Sequence, residues 1–196
     1  MMSALKALRQ IAVNQAPPQP WRNGGGVTRE LFAWPNAAHW QWRISVADIS
    51  ADGPFSAYPG IERWLAVVDG RGLVLHFGEQ RQVLDCNSDP CHFDGGQTPM
   101  CKLQSGATRD LNLMSQRSVG RSRMLRVQAA DEWHSRAPLR ALFTTETIGL
   151  QIDDDDDAAR LPAWTLAVSQ HAQHQRWRVI TDTQRPSAWW MEFQPL

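Results

Sequence analysis

Arginine and glycine supply the most suggestive chemistry in this sequence. The segment PWRNGGGVTRE, Pro20–Glu30, places Arg22 and Asn23 directly before three consecutive glycines. Such a backbone can adopt positive φ angles and present its N–H groups to an anion. The alternative is a flexible loop or a tight corner of a β-barrel. A phosphate-binding P-loop is not indicated, because no Gly-Lys-Ser/Thr follows the glycines.

Two further arginines, Arg43 and Arg63, lie in predicted strands beside large apolar residues. A guanidinium that points into a barrel needs a carboxylate, either internal or from a ligand, because an unpaired buried charge is costly. The alternative is that each arginine faces outward. Asp110 and Asn112 alternate with leucines, which predicts that both share one strand face. They could meet the arginines there or the polar end of a ligand.

Other catalytic patterns are missing from the sequence. The six histidines form neither His-x-His nor His-Glu-x-x-His, and Cys86, Cys91 and Cys101 lack paired Cys-x-x-Cys units. No Gly-x-Ser-x-Gly elbow indicates a serine hydrolase. We therefore expect neither a metal nor a cofactor. Glu62 and Asp110 are the only plausible groups for proton transfer.

The elements that must position these residues are short strands. Strands are predicted over 27–34, 40–46, 63–68 and 72–77, separated by glycine or proline turns such as Asp69-Gly70. The same pattern returns over 139–147, 164–168, 177–180 and 189–193, whereas Gln116 to Arg126 is interpreted as a connection. No periodic run of ten residues indicates a helix. The sequence predicts an all-β protein, a sandwich or a barrel.

Bulk composition excludes several partners. Lys and Arg total 20, as do Asp and Glu, so the basic excess of a nucleic-acid-binding protein is missing. No apolar run is long enough for a membrane helix, and no signal peptide is evident. With an odd number of cysteines, these features favour a cytoplasmic protein with reduced thiols. The acidic run Asp153 to Asp157 is interpreted as a solvated loop.

Three blocks of sequence resemble the HutD/Ves family. They are PWRNGGGVTRE, WRISVADIS with GPFSAYPGIER, and FDGGQTPMCKLQSGATRDLNLM, and they span Trp21 to Met114. The resemblance implies a bicupin, with one cupin-like barrel over 1–115 carrying the pocket and a second over 116–196. It also implies a metal-free site, because the His-x-His of metal-binding cupins is missing from Phe55 to Gly70. The pocket residues that it implies are Trp21, Arg22, Asn23, Arg43, Arg63, Phe93 and Asn112.

The resemblance carries a function as well. HutD members are linked to histidine utilisation, which they are proposed to modulate by binding a small carboxylate such as formylglutamate or urocanate, and no enzymatic activity is established. We therefore expect a small-molecule-binding protein. A homodimer is compatible with the resemblance, because cupin-class barrels commonly pair through edge strands. The alternatives are a metal-independent enzyme acting on a small carboxylate and a stress-response or interaction protein that binds a partner through its tryptophans.

Overall fold

The predicted all-β class is confirmed by a computed structural model, which describes residues 8–129, 132–154 and 157–196. These residues contain strands and one short 3-10 helix, Val13–Gln15, but no α-helix. The strands of the first part of the chain are β1 (Arg9–Ala12), β2 (Pro18–Pro20), β3 (Gly26–Trp34), β4 (Trp42–Ile49), β5 (Gly53–Pro54), β6 (Ile61–Gly70), β7 (Leu73–Phe77), β8 (Gln80–Leu84), β9 (Cys91–Asp94), β10 (Met100–Leu103) and β11 (Thr108–Gln116).

The rest of the chain continues in the same way, with short strands between turns. These strands are β12 (Gly120–Arg126), β13 (Glu132–His134), β14 (Leu139–Thr144), β15 (Ile148–Ile152), β16 (Ala159–Leu161), β17 (Thr165–Ser169), β18 (Arg176–Ile180) and β19 (Ala188–Pro195). Strand pairs such as β6–β11, β14–β19 and β7–β8 are antiparallel, as expected where short turns connect consecutive strands.

One compact unit comprises Ala16–Ser122. It contains a six-stranded sheet in the order β2-β3-β4-β11-β6-β9 and a four-stranded sheet in the order β5-β10-β7-β8. Both sheets contribute to one apolar core, in which Ile49 and Leu65 of the larger sheet join Leu75 and Cys101 of the smaller. Because side chains alternate along a strand, the residues next to Ile49 and Leu65 point to the opposite face of their sheet.

The second unit comprises Arg123–Leu196 together with the residues up to Gln15. Its sheets follow the orders β1-β17-β14-β19-β12 and β13-β18-β15-β16. Three large rings, those of Trp133, Trp177 and Trp190, pack together in its core. Strand β1 pairs with β17, so the N-terminal strand belongs to this unit. The expected division into 1–115 and 116–196 assigned it to the first barrel.

The connection predicted from Gln116 to Arg126 is wrong over its second half. Gly120–Arg126 forms β12, in which alternate residues from Gly120 to Arg126 are buried. The prediction failed because the buried face carries glycine, serine, methionine and arginine, a set with little hydrophobic signal. Alternation of burial identifies the strand, but alternation of hydrophobicity does not.

Tryptophan serves mainly as packing material in this fold. All ten tryptophans fall among the described residues, and each is buried or half-buried. The large apolar residues that are exposed in the described part of the chain are Val83, Met100, Leu125, Ile180 and Leu196. The surface described therefore offers no tryptophan-rich face. Within the same residues, no helix has the length and apolarity needed to cross a membrane.

Candidate functional site

A cavity of about 410 Å³ lies within the unit Ala16–Ser122. Its wall is one face of the neighbouring strands β4, β11 and β6, and the loop after β2 and the segment before β6 complete it. The lining residues are Gln19, Pro20, Trp21, Arg22, Asn23, Thr28, Arg43, Ser45, Ala47, Pro54, Phe55, Ser56, Tyr58, Arg63, Asp110, Asn112 and Met114. The alternation that puts Arg43, Ser45 and Ala47 into this wall turns Ile44 and Val46 to the opposite face of β4.

Arg63 is the most deeply buried cation of this cavity, with only 6 % of its surface exposed. One terminal nitrogen donates a hydrogen bond to Asn112 Oδ1 at 3.1 Å, and the other makes a long contact of 3.4 Å to the carbonyl of Ser56. Its Nε is buried without a hydrogen-bond partner. Within the described part of the chain Arg63 forms no ion pair with a carboxylate. A buried guanidinium in this state retains hydrogen-bonding capacity for an anion.

Three aromatic rings surround the Arg63 guanidinium. The ring centroids of Phe55, Tyr58 and Phe93 lie 5.3, 5.6 and 5.0 Å from its central carbon. Cation–π attraction of this kind contributes about 0.5–2 kcal/mol and helps to stabilise a largely buried charge. Burial nevertheless lowers the pKa of Arg63 below its ordinary value, although Asp110 acts in the opposite direction.

Asp110 and Asn112 form a short hydrogen-bonded row with Arg63. Asn112 Nδ2 donates to Asp110 Oδ1 at 2.9 Å, and Asn112 Oδ1 accepts from Arg63, so the amide joins the two charged groups. Asp110 is 1 % exposed. Burial raises the pKa of this carboxyl to about 7, even though Arg63, Asn112 and the Ala47 backbone favour the ionised form.

Arg43 is already paired inside the protein. Its Nε donates to Glu30 Oε2 at 2.6 Å across the β3–β4 pair, and its guanidinium lies 5.9 Å from the ring of Trp40. The two strand arginines therefore differ. Arg43 pairs with an internal carboxylate, which is one of the two partners that the sequence analysis allowed for an inward-pointing arginine. Arg63 instead contacts an amide and a backbone carbonyl.

The glycine loop, residues 21–26, contributes Trp21, Arg22 and Asn23 to the cavity lining, whereas its three glycines do not line the cavity. Trp21 Nε1 donates to Thr28 Oγ1 at 2.7 Å, which holds the indole against the start of β3. The N–H groups of Gly24 and Gly25 donate to Trp21 O and Asn23 Oδ1, at 3.0 Å in each case. These two N–H groups therefore donate to acceptors within the loop. They are not available to bind an anion, contrary to what the sequence had suggested. Arg22, by contrast, is exposed.

Six of the seven residues expected in the pocket line this cavity, all except Phe93. Phe93 instead packs against the guanidinium of Arg63 from β9. Sequence reasoning left Phe55, Ser56 and Tyr58 out of the pocket, and their only signal was their place in a proline-bounded segment before a strand. Glu62, one of the two proton-transfer candidates, does not line the cavity and contacts His92 Nε2 at 2.9 Å.

Residues that could hold a metal ion are not grouped in the described part of the chain. No three histidine, cysteine, aspartate or glutamate side chains come together there in a suitable arrangement. The acidic run also has local contacts: Asp153 accepts from the Arg176 backbone at 2.8 Å, and Asp154 pairs with the Arg176 side chain. Asp155 and Asp156 of that run lie outside the described residues.

Comparison with known proteins assigns the family. The family model described as HutD matches residues 13–185, which is most of the chain. The protein belongs to the HutD family. An uncharacterized 21.2 kDa protein in the hutC 3' region of Pseudomonas putida is 32 % identical over 148 residues, covering 74 % of this chain and 76 % of that protein. Protein Ves of Citrobacter koseri is 33 % identical over 107 residues, 54 % of this chain and 56 % of that protein.

Two solved structures share the fold over nearly the whole chain. A conserved protein of unknown function from Pseudomonas aeruginosa superposes with a TM-score of 0.84 at 27 % identity, covering 96 % of this chain and 99 % of that one. HutD from Pseudomonas fluorescens gives 0.83 at 25 %, with 97 % and 100 % covered. A more distant likeness, to an oxalate decarboxylase from Lactobacillus farciminis (TM-score 0.61, 9 % identity, 95 % and 86 % covered), shows the cupin-like fold alone.

Proposed function

We propose that this HutD protein binds a small carboxylate in the cavity beside Arg63. The observation that supports the proposal is a guanidinium that is 6 % exposed, lines a cavity and has a buried Nε without a hydrogen-bond partner. A planar carboxylate is the anion that matches an arginine fork, because two oxygens can accept two parallel N–H bonds. The protein's own carboxylates do not occupy that position in the described residues.

The size and lining of the cavity suit a small organic acid. About 410 Å³ falls within the range of small-molecule sites, near its lower end. Hydrogen-bonding groups of Ser45, Asn112 and Tyr58 could orient the rest of a ligand, and the faces of Trp21 and Phe55 offer an apolar surface. This mixture of a few buried charged and polar groups with aromatic walls is typical of a recognition site.

The pathway part of the proposal is histidine utilisation. A relative in Pseudomonas putida is described by its position in the hutC 3' region, and the Pseudomonas fluorescens HutD structure was obtained under a formate condition. We infer that the ligand belongs to the formylglutamate or urocanate class and that the protein modulates the pathway when this acid accumulates. The mechanism is binding alone and needs no cofactor, nucleic acid or membrane.

Calorimetric titration of the purified full chain with N-formylglutamate, urocanate and formate tests the proposal. We expect Arg63→Met to weaken binding by about 10- to 100-fold, because a charge-assisted hydrogen bond to a carboxylate contributes about 1.5–3 kcal/mol. Arg81→Met is the matched control, since Arg81 is an exposed strand arginine of the same unit that does not line the cavity. No binding of any of the three acids at millimolar concentration would overturn the proposal, as would equal losses in both variants.

A metal-independent enzyme is the second candidate, favoured by one observation. Asp110 lines the cavity and has a pKa raised by burial to about 7, which is close to the best value for a general base at neutral pH. In this function Asp110 would act as general base on a C–H or N–H group of an acid whose carboxylate is held by Arg63. Proton NMR of N-formylglutamate and urocanate incubated with the protein tests it: turnover that Asp110→Asn abolishes supports the enzyme, and unchanged spectra over days exclude it for these acids.

A further inference from the structure

We propose that the cavity binds its carboxylate together with one proton, which Asp110 takes up from solvent, so that Asp110 determines which charge state of the site accepts the ligand. The inference rests on the proposed function, because it concerns the same cavity. It goes further by assigning Asp110 a role as a specificity-determining residue and by fixing the stoichiometry of protons in the complex.

The geometry puts the two opposite charges within reach of one ligand. Arg63 and Asp110 both line the cavity, and Asn112 joins them through hydrogen bonds of 3.1 and 2.9 Å. A carboxylate that binds the Arg63 guanidinium therefore enters the same enclosed space as the Asp110 carboxyl. Two carboxylates that share a site with little water cannot both remain ionised without a large cost.

Counting the buried charges gives the proton stoichiometry. In the free protein with both groups ionised, Arg63 contributes +1 and Asp110 contributes −1, so this part of the site is neutral. Binding an anion alone would leave a net charge of −1 in a region where Asp110 is only 1 % exposed. Uptake of one proton by Asp110 restores neutrality and leaves the ligand as the partner of Arg63. An unpaired buried charge is expensive enough for this uptake to accompany binding.

The other groups around Asp110 do not take over this role. The other groups that act electrostatically on Asp110 or on its partner Arg63 are Arg43 and Asp48 on β4, Cys101 on β10 and Tyr58 before β6. Arg43 is neutralised by Glu30. Burial alone would raise the pKa of Asp48, but Arg109 and Arg29 hold it below its ordinary value, so Asp48 stays ionised. Burial raises the pKa of Cys101 to about 12, so this thiol stays neutral.

The raised pKa of Asp110, about 7, sets the pH range in which the coupling is visible. Below pH 7 the carboxyl is already protonated in much of the free protein, so binding takes up little proton. Above pH 7 each binding event takes up nearly one proton, and affinity falls about tenfold for each pH unit. N-formylglutamate is a suitable probe, because its carboxylates are fully ionised from pH 6 to 9.

The test is calorimetric titration of the full chain with N-formylglutamate at pH 6, 7, 8 and 9. Each pH is measured in two buffers of different ionisation enthalpy, and the difference in binding heat gives the protons taken up. We expect close to one proton at pH 8 and about a tenfold loss of affinity from pH 8 to pH 9. Asp110→Asn should bind with no proton uptake and an affinity nearly independent of pH. Glu79→Gln, which replaces an exposed turn carboxylate outside the cavity lining, should retain the uptake.

The outcomes separate this inference from the function on which it rests. Wild-type binding without proton uptake at pH 8 overturns the inference and leaves the carboxylate site standing, and so does uptake that persists in Asp110→Asn. Loss of uptake in Glu79→Gln would also overturn it, since the proton would then belong to a group outside the cavity. No binding at any pH overturns both. If Asp110→Asn fails to fold by circular dichroism, the two-buffer comparison on the wild type still decides.

Discussion

At the scale of single residues, Asp110 links the stability of the fold to pH. Its pKa in the folded protein is raised by burial to about 7, whereas an exposed aspartate titrates near about 3.9. The folded state therefore binds a proton more tightly than the unfolded chain does. The contribution of Asp110 to the free energy of unfolding is complete below about pH 4. It is lost as pH rises towards and through 7, by at most about 1.4 kcal/mol per pH unit.

Asp110→Asn should remove this pH dependence. We expect the difference in unfolding free energy between the variant and the wild type to shift in favour of the variant as pH rises from 5 to 8, because the amide carries no charge to bury. Urea unfolding followed by tryptophan fluorescence at several pH values measures it. Taking the difference between the two proteins cancels the other titrating groups, and Glu79→Gln should show no such trend. A constant difference across this range would contradict the assignment.

The three thiols should differ sharply in reactivity. Cys91 and Cys101 are both buried, and burial raises the pKa of Cys91 to about 11 and that of Cys101 to about 12. Few thiolates of either residue therefore exist at pH 8. Cys86 is only partly buried. We expect iodoacetamide at pH 8 to label Cys86 first in the folded protein and all three only in urea, as peptide mass spectrometry would show. Early labelling of Cys101 would argue against the core packing described above.

Residue alternation made part of the candidate site predictable. Asp110 and Asn112 were expected to share a strand face, and both line the cavity. The sequence could not tell that Arg43 meets Glu30 while Arg63 meets an amide, because strand register decides which side chains are opposite. Phe55 and Tyr58 reach the cavity from a segment without regular periodicity, so no pattern indicated their direction.

At the scale of elements, turn residues predicted the boundaries of the strands more reliably than the hydrophobic pattern did. The predicted strand over 27–34 corresponds to β3, Gly26–Trp34, and the strand over 72–77 to β7, Leu73–Phe77, both preceded by glycine. Gly70 shows why such turns are readable: its φ is +92°, and an added Cβ would lie 2.6 Å from Ala107 O. Strand β12 was missed because its buried side carries Ser122 and Arg126, which look like surface residues in the sequence.

The glycine loop should tolerate substitution at one position and not at its neighbour. A Cβ at Gly26 would lie 2.6 Å from Asp48 O and 3.1 Å from the Trp21 indole, whereas at Gly25 the nearest atom is Asn23 Oδ1 at 3.4 Å. We expect Gly26→Ala to destabilise the protein by about 1–3 kcal/mol, because the β3–β4 backbone must move. Gly26→Ala should also weaken N-formylglutamate binding by displacing Trp21.

Gly25→Ala is the matched control for that experiment. Its smaller steric demand predicts near wild-type urea unfolding and binding. Equal destabilisation by both substitutions would show that the loop requires glycine for backbone freedom alone and not for the close approach of Gly26 to β4.

At the scale of the whole molecule, each unit buries an arginine among aromatic rings but treats it differently. In the unit Arg123–Leu196, Arg140 is fully buried, its guanidinium 5.2 and 5.9 Å from the ring centroids of Trp133 and Trp177. Its terminal nitrogens donate to the carbonyl oxygens of Trp133, Ser135 and Gln175. Arg140 thus completes a core, whereas Arg63 lines a cavity.

Exchanging each arginine for methionine should separate binding from stability. Arg140→Met leaves three carbonyl oxygens without their donor, and we expect a loss of about 3–5 kcal/mol in unfolding free energy, comparable to breaking a buried charged contact. Arg63→Met removes a charge that makes no direct ion pair in the described chain, and the buried carboxyl of Asp110 can take up a proton when that charge is lost. The expected loss in unfolding free energy is therefore below about 1.5 kcal/mol, while N-formylglutamate binding falls at least tenfold. Urea unfolding and calorimetry on both variants measure the two effects, with Arg81→Met unchanged in each. If Arg63→Met destabilises the protein more than Arg140→Met does, the Arg63 guanidinium belongs to the structural core of its unit. That outcome would contradict the proposal that the cavity is a carboxylate site.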